Sequence, residues 1–387
     1  MIVCENCFID PFLVDLVKNS KEVSGAEYYK ECPYCCESNP KLHDFQVPEG
    51  VSAQLSQILE LYEPSDNNKK GENLIDVLKK RWRIFSNNIS IVSGLKLLKL
   101  LVDDSFDFKR DPFSLKVVLR PVLANQLKSD ETIFFCSCNG SLDNIVESSW
   151  DNFEESVKYR NRFFSNVLNK KIFEIFCGYL TREVEKNQLL YRARVSTVNR
   201  TFSYNEIYAP EKGTSNDGRL NAKGEWCLYL SSELDTCIHE VRAVAHDYVC
   251  VGKFKLKEKI QIVDFSLIES RISPFFDDFD INLYLININF LLKIRSLFSK
   301  VVRTNSDGLD YVTTQFLADC IKSMKESENP DSKYKFAGIS YPSTVSSLEF
   351  KGINYAIFQD DLFELDRPTV LYEITDVSYT KNEVQDN

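Results

Sequence analysis

The sequence predicts an α+β protein in which three kinds of segment follow one another. Two cysteine pairs lie within residues 1–45, and amphipathic helical patterns continue through residues 46–183. Short runs rich in Val, Ile, Tyr and Phe then alternate with helical segments through residues 184–378. At 387 residues the chain is too long for one ordinary hydrophobic core, so two or three domains are expected.

The composition is that of a folded soluble protein, with 43% hydrophobic and 27% charged residues. The net charge of −10 argues against a broad nucleic-acid-binding surface, because such a surface needs clustered basic residues. The first residues lack a signal-peptide pattern, and the longest apolar stretch is interrupted by Asn and Lys. We therefore expect a cytoplasmic protein that does not associate with membranes.

The N-terminal element contains two Cys-x-x-Cys pairs, Cys4 with Cys7 and Cys32 with Cys35, separated by 24 residues. A two-residue gap lets both sulfur atoms of a pair face one ion, and the second pair completes a tetrahedron. A redox-active Cys-x-x-Cys would need only one pair. Because four thiolates leave no open position, the spacing predicts a structural zinc site and not a catalytic one.

The middle region, residues 46–183, is predicted to be mainly helical. The stretch VSAQLSQILELYE places Val51, Leu55, Ile58, Leu59 and Tyr62 on one face. NLIDVLKKRWRIFS, GLKLLKLLVDD and WDNFEESVKYRNRFFSNV repeat the pattern, whereas DETIFFCSCNG is ambiguous. The last nine residues, 379–387, are polar and are predicted to be a frayed tail.

Two segments of the C-terminal part allow either a purely structural or a functional interpretation. GTSNDGRLNAKGEWCLYLS is either a flexible connection before a strand or a loop that brings Arg219 to an anionic ligand. In SSELDTCIHEVRAVAHDY, Ser232 is the predicted N-cap, and Glu240 lies at the edge of an apolar stripe. Glu240 is there either as a salt-bridge partner or as a carboxylate in a cleft, whereas His239 and His246 are predicted to face solvent.

The order of these segments resembles the RES domain, a family named for arginine, glutamate and serine positions, over about residues 185–375. LYRAR resembles the family's opening strand, with Arg192, and CIHEVR resembles the helix that carries the glutamate, Glu240. GRLNAKGEWCLYLS resembles the G-R-W-N-x-x-G stretch, with Leu220 in place of the common tryptophan. LDYVTTQFLADCI resembles the D-Y-x-x-T-Q helix, and GISYPS with GINYAIF resembles the serine segment, with Ser343.

The first half of the chain resembles the HEPN-type amino-terminal region that is attached to some RES domains. The double Cys-x-x-Cys start, RWRIF and SSWDNFEESVKYRNRFF carry this resemblance. The R-x4–6-H signature of active HEPN ribonucleases is missing, so a ribonuclease role is not implied. The region is expected to gate or to scaffold.

RES domains resemble ADP-ribosyltransferase folds, and their characterised members are toxins that consume NAD⁺. By this resemblance Glu240 stabilises the oxocarbenium-like cation formed when the nicotinamide–ribose bond breaks, with Arg192 and Ser343 as further catalytic residues. The implied substrate-binding residues are Arg219, Tyr229, Asn221 and Asn354. Leu220 and a long insertion between Asp264 and Asp310 are expected to change the shape of the pocket and not the chemistry.

The implied function is an NAD⁺ glycohydrolase or phosphorylase that acts as a toxin in a toxin–antitoxin or antiphage defence system. One alternative is a protein ADP-ribosyltransferase that uses NAD⁺. A second is an inactive RES-like scaffold whose helical half binds a partner or nucleic acid. The expected partners are NAD⁺, an antitoxin or regulatory protein and other copies of the chain, with Zn²⁺ as a structural cofactor.

Overall fold

The structure is a computed structural model, and it describes residues 1–23, 30–64, 72–102, 116–119, 150–162, 167–197, 199–269, 272–275, 279–300, 308–324, 335–343 and 352–377. The chain divides into two compact units. Unit 1 comprises Met1–Asn144 and Glu269–Ile288, and unit 2 comprises Ile145–Ile268 and Asn289–Asn387. The mixture of helices and strands confirms the predicted α+β class. The division at residues 45, 183 and 378 stays a prediction, and the tail and DETIFFCSCNG lie outside the described residues.

Unit 1 contains two small antiparallel sheets and four helices within its described part. In chain order the elements are β1 (Ile2–Val3), α1 (Pro11–Lys18), β2 (Lys21–Glu22), β3 (His43–Asp44), α2 (Glu49–Glu60), β4 (Tyr62–Pro64), β5 (Glu72–Asn73), α3 (Leu74–Lys80), α4 (Ile91–Leu101) and β6 (Lys116–Leu119). The first sheet has the order β1-β3-β2, and the second has the order β4-β6-β5. The first part of a later helix, up to Ile288, also belongs to this unit.

Three of the four helices in the described part of unit 1 begin where a side chain accepts a hydrogen bond from an amide group of the first turn. Asp10, Asn73 and Ser90 each accept a hydrogen bond from a backbone N–H in the first turn of α1, α3 and α4. The apolar face predicted for α2 is confirmed for Val51, Leu55, Ile58 and Leu59, which are buried, whereas Tyr62 lies beyond the end of the helix, in β4. The sheet β4-β6-β5 was not expected in the helical region, because strands of two to four residues carry no readable period.

Unit 2 is built on one large sheet with helices packed against it. Its elements are α5 (Trp150–Glu155), α6 (Lys170–Tyr179), β7 (Thr181–Val184), β8 (Leu189–Ser196), α7 (Tyr204–Ile207), β9 (Leu228–Ser231), α8 (Leu234–Glu240), β10 (Tyr248–Leu256), β11 (Ile260–Asp264), the end of α9 (Ile281–Ser299), α10 (Leu309–Lys322), β12 (Gly338–Pro342), β13 (Ile353–Ile357), β14 (Phe363–Leu365) and β15 (Val370–Glu373). Among the described helices of both units, none is long and apolar enough to cross a membrane.

The large sheet has the order β14-β10-β8-β9-β13-β12-β11-β7, and β15 pairs with another part of β10. Of the strand pairs that the structure describes here, β11 and β12 are parallel and the others are antiparallel. A parallel pair needs a long crossover connection, and α9 and α10 lie between β11 and β12 in the chain. This connection contains the insertion predicted between Asp264 and Asp310.

Helix α8 packs on one face of this sheet. Cys237 of α8 lies in an apolar cluster with Ala193 of β8 and with Val249 and Val251 of β10. The helix is shorter than predicted, because the backbone of Arg242 turns into the left-handed region, with φ of 51°. Ser232 is not its N-cap: its hydroxyl instead accepts a hydrogen bond from the Ile353 N–H, at 3.0 Å.

Candidate active site

A row of four side chains crosses four neighbouring strands on the face that α8 covers. In the strand register, Ser231 of β9 is opposite both Tyr191 of β8 and Asn354 of β13, and Asn354 is in turn opposite Tyr341 of β12. Directly opposed residues in a sheet point to the same face. The row forms one wall of a cleft of about 560 Å³, a size typical of small-molecule sites.

Glu240 is the last residue of α8 and lies in this cleft with an exposed side chain. Its Oε1 atom accepts two hydrogen bonds, from Ser343 Oγ at 2.6 Å and from Asn354 Nδ2 at 2.5 Å. Its Oε2 atom has no hydrogen-bond partner among the described residues. The carboxylate is therefore held in one orientation by one oxygen, while the other oxygen is available to a ligand.

Arg192 lines the cleft from β8. Its Nε donates to the carbonyl of Ile207 and its Nη1 to the carbonyl of Tyr229, both at 2.8 Å. Burial is the main cause that lowers the pKa of Arg192 to about 10, which leaves the guanidinium charged at neutral pH. Nη2 donates to no described residue, so it can offer N–H groups to an anionic ligand.

Arg219 also lines the cleft, and its guanidinium group is bound to the C-terminal end of α9. Nη1 donates to the carbonyl of Leu297 at 3.1 Å, and Nη2 donates to the carbonyl of Lys300 at 2.7 Å. The guanidinium carbon lies 5.8 Å from the ring centroid of Tyr341. A cation at the carbonyl end of a helix is favourable, so this contact fixes the side chain within the cleft wall.

Tyr229 and Asn221 bind each other. The Tyr229 hydroxyl donates to Asn221 Oδ1 at 2.8 Å and accepts from the Leu220 N–H at 2.9 Å. Burial raises the pKa of Tyr229 well above its ordinary value. Tyr229 lines the cleft, whereas Asn221 is 3% exposed and does not. The Asn221 Nδ2 atom donates to carbonyls of its own loop, those of Asn216 and Ala222 at 3.0 Å.

Helix α10 holds the loop that carries Arg219 by its backbone. Four consecutive carbonyl groups, those of residues 218–221, accept hydrogen bonds from side chains of this helix. Gln315 Nε2 donates to the first and the last, Thr314 Oγ1 to the second, and Lys322 Nζ to the third. Lys322 also forms ion pairs with Glu225 of the loop and with Asp319 of its own helix. The D-Y-x-x-T-Q segment thus supplies the scaffold of the cleft loop.

The structure brings six of the seven predicted catalytic and substrate-binding residues to one cleft, and Asn221 stands behind it. Glu240, Arg192, Arg219, Tyr229 and Asn354 line the cleft directly, and Ser343 joins through its bond to Glu240. Sequence reasoning missed further lining residues, namely Tyr191, Ser231, Arg242, Tyr311 and Tyr341. Strand alternation could have identified two of them, because Ser231 follows Tyr229 by two positions and Tyr341 precedes Ser343 by two.

The four predicted cysteine ligands come together in unit 1. All four are buried, and their sulfur atoms lie within 4.8 Å of one another. The distances that join Cys4 Sγ to Cys7, Cys4 to Cys35 and Cys7 to Cys32 are 3.7, 3.3 and 3.5 Å. A zinc–sulfur tetrahedron with bonds of about 2.3 Å has edges of about 3.8 Å, so the cluster fits a tetrahedral metal ion.

Two nearby residues of types that can bind zinc, Cys36 and His43, do not join the cluster. Cys36 is exposed, and the ring of His43 forms a hydrogen bond with the carbonyl of Ser20. Within the cluster, hydrogen bonds from the Cys4 and Cys7 thiols hold the pKa of Cys32 well below its ordinary value, whereas the hydrogen bond to Cys32 raises the pKa of Cys7, so Cys32 is the member favoured as a thiolate. Metal ligation requires this form of the side chain.

Comparison with known proteins identifies the second half of the chain. Residues 189–381 match the family model described as the RES domain. Among curated proteins there is no match. One similar solved structure is the crystal structure of the M. tuberculosis MbcT–MbcA toxin–antitoxin complex, with 12% identity over 49% of this chain and 86% of that chain. The TM-score of this match is 0.27. The family match spans the strand with Arg192, the helix with Glu240 and the segment with Ser343, and residues 189–381 are therefore a RES domain.

Proposed function

We propose that the RES domain cleaves the bond between nicotinamide and ribose in NAD⁺. The observation that carries the proposal is the state of Glu240, whose carboxylate is oriented through Oε1 and open at Oε2 inside a cleft of suitable size. When the C1′–N bond breaks, its electron pair leaves with nicotinamide and C1′ becomes an oxocarbenium-like cation. A carboxylate oxygen beside C1′ stabilises that cation more than it stabilises the bound substrate.

The cleft has groups that suit the other parts of NAD⁺. Arg192 supplies a positive charge with free N–H groups, which complements the pyrophosphate. The rings of Tyr229 and Tyr341 provide aromatic surface for the cationic nicotinamide ring. For Asn221 we replace the expected contact with substrate by a structural role, since its polar atoms bind its own loop and Tyr229.

The acceptor of the ADP-ribosyl group decides which reaction completes the cycle. Attack of water at C1′ gives ADP-ribose, with a proton released to solvent, and attack of phosphate gives the 1-phosphate of ADP-ribose. Attack by a protein side chain gives a modified protein. We propose hydrolysis or phosphorolysis, because the open cleft admits small nucleophiles.

We further propose that loss of NAD⁺ makes the protein a toxin to the cell that produces it, and that an antitoxin or a regulatory protein restrains it. For unit 1 we propose that Cys4, Cys7, Cys32 and Cys35 hold a zinc ion, which would supply cross-linking and no catalysis.

Incubation of the purified full-length chain with NAD⁺, with and without phosphate, tests the proposal. Free nicotinamide together with ADP-ribose or its 1-phosphate supports it, and the phosphate dependence separates the two reactions. ADP-ribose attached to protein would favour the transferase alternative. If wild-type protein forms no product and Glu240→Gln leaves toxicity unchanged, both enzyme interpretations fail and the inactive scaffold stands.

A further inference from the structure

Ser231 lies at the far end of a hydrogen-bond chain that reaches the Glu240 carboxylate. Its side chain is 4% exposed, and its Oγ donates to Asn354 Oδ1 at 2.8 Å. The amide group of Asn354 then donates from Nδ2 to Glu240 Oε1 at 2.5 Å. Both polar atoms of the Asn354 side chain are thus bound, one by Ser231 and the other by Glu240.

The direction of this chain follows from the chemistry of its members. A carboxylate only accepts hydrogen bonds, so the NH₂ group of Asn354 must face Glu240 and the amide oxygen must face Ser231. The reverse orientation of the amide would place two acceptor oxygens against each other. A hydroxyl donor on Oδ1 therefore favours the one orientation in which Asn354 can hold the carboxylate.

The sheet makes this arrangement rigid. Ser231 and Asn354 are directly opposed residues on β9 and β13, and Tyr191 and Tyr341 flank them in the same row. Asn354 is 6% exposed, so water has little access to replace the Ser231 hydroxyl as a donor.

We propose that Ser231 is a positioning residue, which fixes the Asn354 amide and through it the Glu240 carboxylate. The kinetic consequence of this role rests on the proposed function. The hydrogen bonds that join Ser231, Asn354 and Glu240 do not depend on that function. Loss of the hydroxyl lets Asn354 rotate and leaves Glu240 held by Ser343 alone. The carboxylate then spends less time where it can stabilise the cation, and substrate binding changes little.

Kinetics of Ser231→Ala on the full-length chain test the role. We expect kcat for nicotinamide release to fall by about tenfold, with KM for NAD⁺ changed by less than about twofold. Ser231→Thr, which restores a hydroxyl, should regain most of the rate. Ser232→Ala is the matched control, because Ser232 is the next residue and its hydroxyl accepts from the backbone N–H of Ile353. Ser232 is therefore not part of the hydrogen-bond chain that runs from Ser231 to Glu240. A raised KM with unchanged kcat, or equal effects of Ser231→Ala and Ser232→Ala, would overturn the proposal.

A double-mutant cycle separates positioning from general structural damage. In an Asn354→Ala background the substitution Ser231→Ala should cost almost no further rate, since the group it orients is gone. Independent, additive losses would contradict the role.

A measurement without substrate keeps this inference separate from the proposed function. In protein labelled with ¹⁵N-asparagine, the side-chain amide signal of Asn354 should shift strongly on Ser231→Ala and stay in place on Ser232→Ala. Wild-type protein that releases no nicotinamide but shows this shift would refute the proposed function and retain the positioning role. An unshifted Asn354 signal would refute the positioning role whatever the activity.

Discussion

The four-cysteine cluster of unit 1 and the Glu240 cleft of unit 2 place their polar groups in opposite ways. In the cluster, four buried sulfur atoms converge on one another within 4.8 Å and leave no ligand position for a substrate. In the cleft, one oxygen of Glu240 has two donors, and the other has none among the described residues. A fully converged set suits a structural role, whereas a half-bound carboxylate suits a catalytic role.

Replacing Glu240 by Gln tests the catalytic role proposed for the cleft and has the largest expected effect. Glutamine keeps the shape of the side chain but lacks the negative charge that stabilises the cation. We expect nicotinamide release to fall by about 10²–10³-fold, measured by chromatography on the full-length chain. Glu233→Gln, at an exposed residue before the same helix, is the control and should retain activity. Near-normal activity of Glu240→Gln would remove the basis of the proposed function.

Replacing Cys7 by Ser tests the structural role proposed for the four-cysteine cluster. We expect bound zinc to fall from about one ion per chain to almost none, because three ligands remain. The unfolding transition of unit 1 should move down by about 10 °C, while kcat of the folded protein stays within about twofold. Cys36→Ser is the control, since Cys36 is exposed and outside the cluster. Loss of kcat in proportion to zinc would contradict the structural role.

A second buried polar centre in unit 1 gives a pH-dependent prediction. Burial raises the pKa of Asp10 to about 6, although the Leu13 N–H and the Ser273 hydroxyl donate to it. Because the unfolded carboxyl has a pKa of about 3.9, the native state binds the proton more tightly between about pH 4 and 6. The free energy of unfolding should therefore fall, by up to about 3 kcal/mol, as pH rises through that window.

Calorimetry of wild type and Asp10→Asn between pH 4 and 6.5 measures this contribution. The variant should lack the decline, and Asp15→Asn, at an exposed residue of the same helix, should retain it. Equal pH dependence in wild type and Asp10→Asn would show that Asp10 does not titrate in this range.

Replacing Gln315 by Ala tests how far the cleft depends on α10. The change removes two hydrogen bonds to the loop that carries Arg219, and each is worth about 1 kcal/mol. We expect KM for NAD⁺ to rise about fivefold, with a smaller change in kcat. Gln188→Ala, at an exposed residue of the same unit, is the control. An unchanged KM would show that the loop keeps its shape without Gln315.

Replacing Gly218 by Ala is expected to lower the stability of the fold by a modest amount. A Cβ atom there would lie 2.3 Å from Asn221 Oδ1 and 2.7 Å from the Tyr229 hydroxyl oxygen. Because Asn221 is fixed by its loop, we expect the free energy of unfolding to fall by about 1–2 kcal/mol in denaturant titrations. Gly178→Ala, in α6 where nothing lies within 4 Å, should be neutral or stabilising. A neutral Gly218→Ala would mean that Asn221 can move.

The local patterns predicted parts of the fold with a clear period. The apolar face of α2 and the exposed position of His239 follow from helical geometry, and the structure agrees with both. The end of α8 could not be predicted, because the turn at Arg242 depends on a backbone conformation that residue type does not dictate.

The residues of the candidate site could be predicted from the sequence only in part. Glu240 lies 103 positions before Ser343 and 114 before Asn354, and they meet because β9, which precedes α8, is a neighbour of β13, which pairs with β12. The order of family-like segments indicated them, whereas residue spacing alone would not. Asn221 was expected to contact substrate, but a loop has no period that tells which side chains turn inward, and this one is buried.

The hold of α10 on residues 218–221 has a consequence for exchanging parts between relatives. The donors and acceptors are 94 to 102 positions apart along the chain. In a chimera that receives only the loop of a relative, the carbonyl groups of that loop would face α10 side chains that are not placed to donate to them. The loop and α10 must therefore be transplanted together. The segment between them contains β9, α8 with Glu240, β10 and β11, so those elements of the recipient must be kept when the loop and α10 are exchanged.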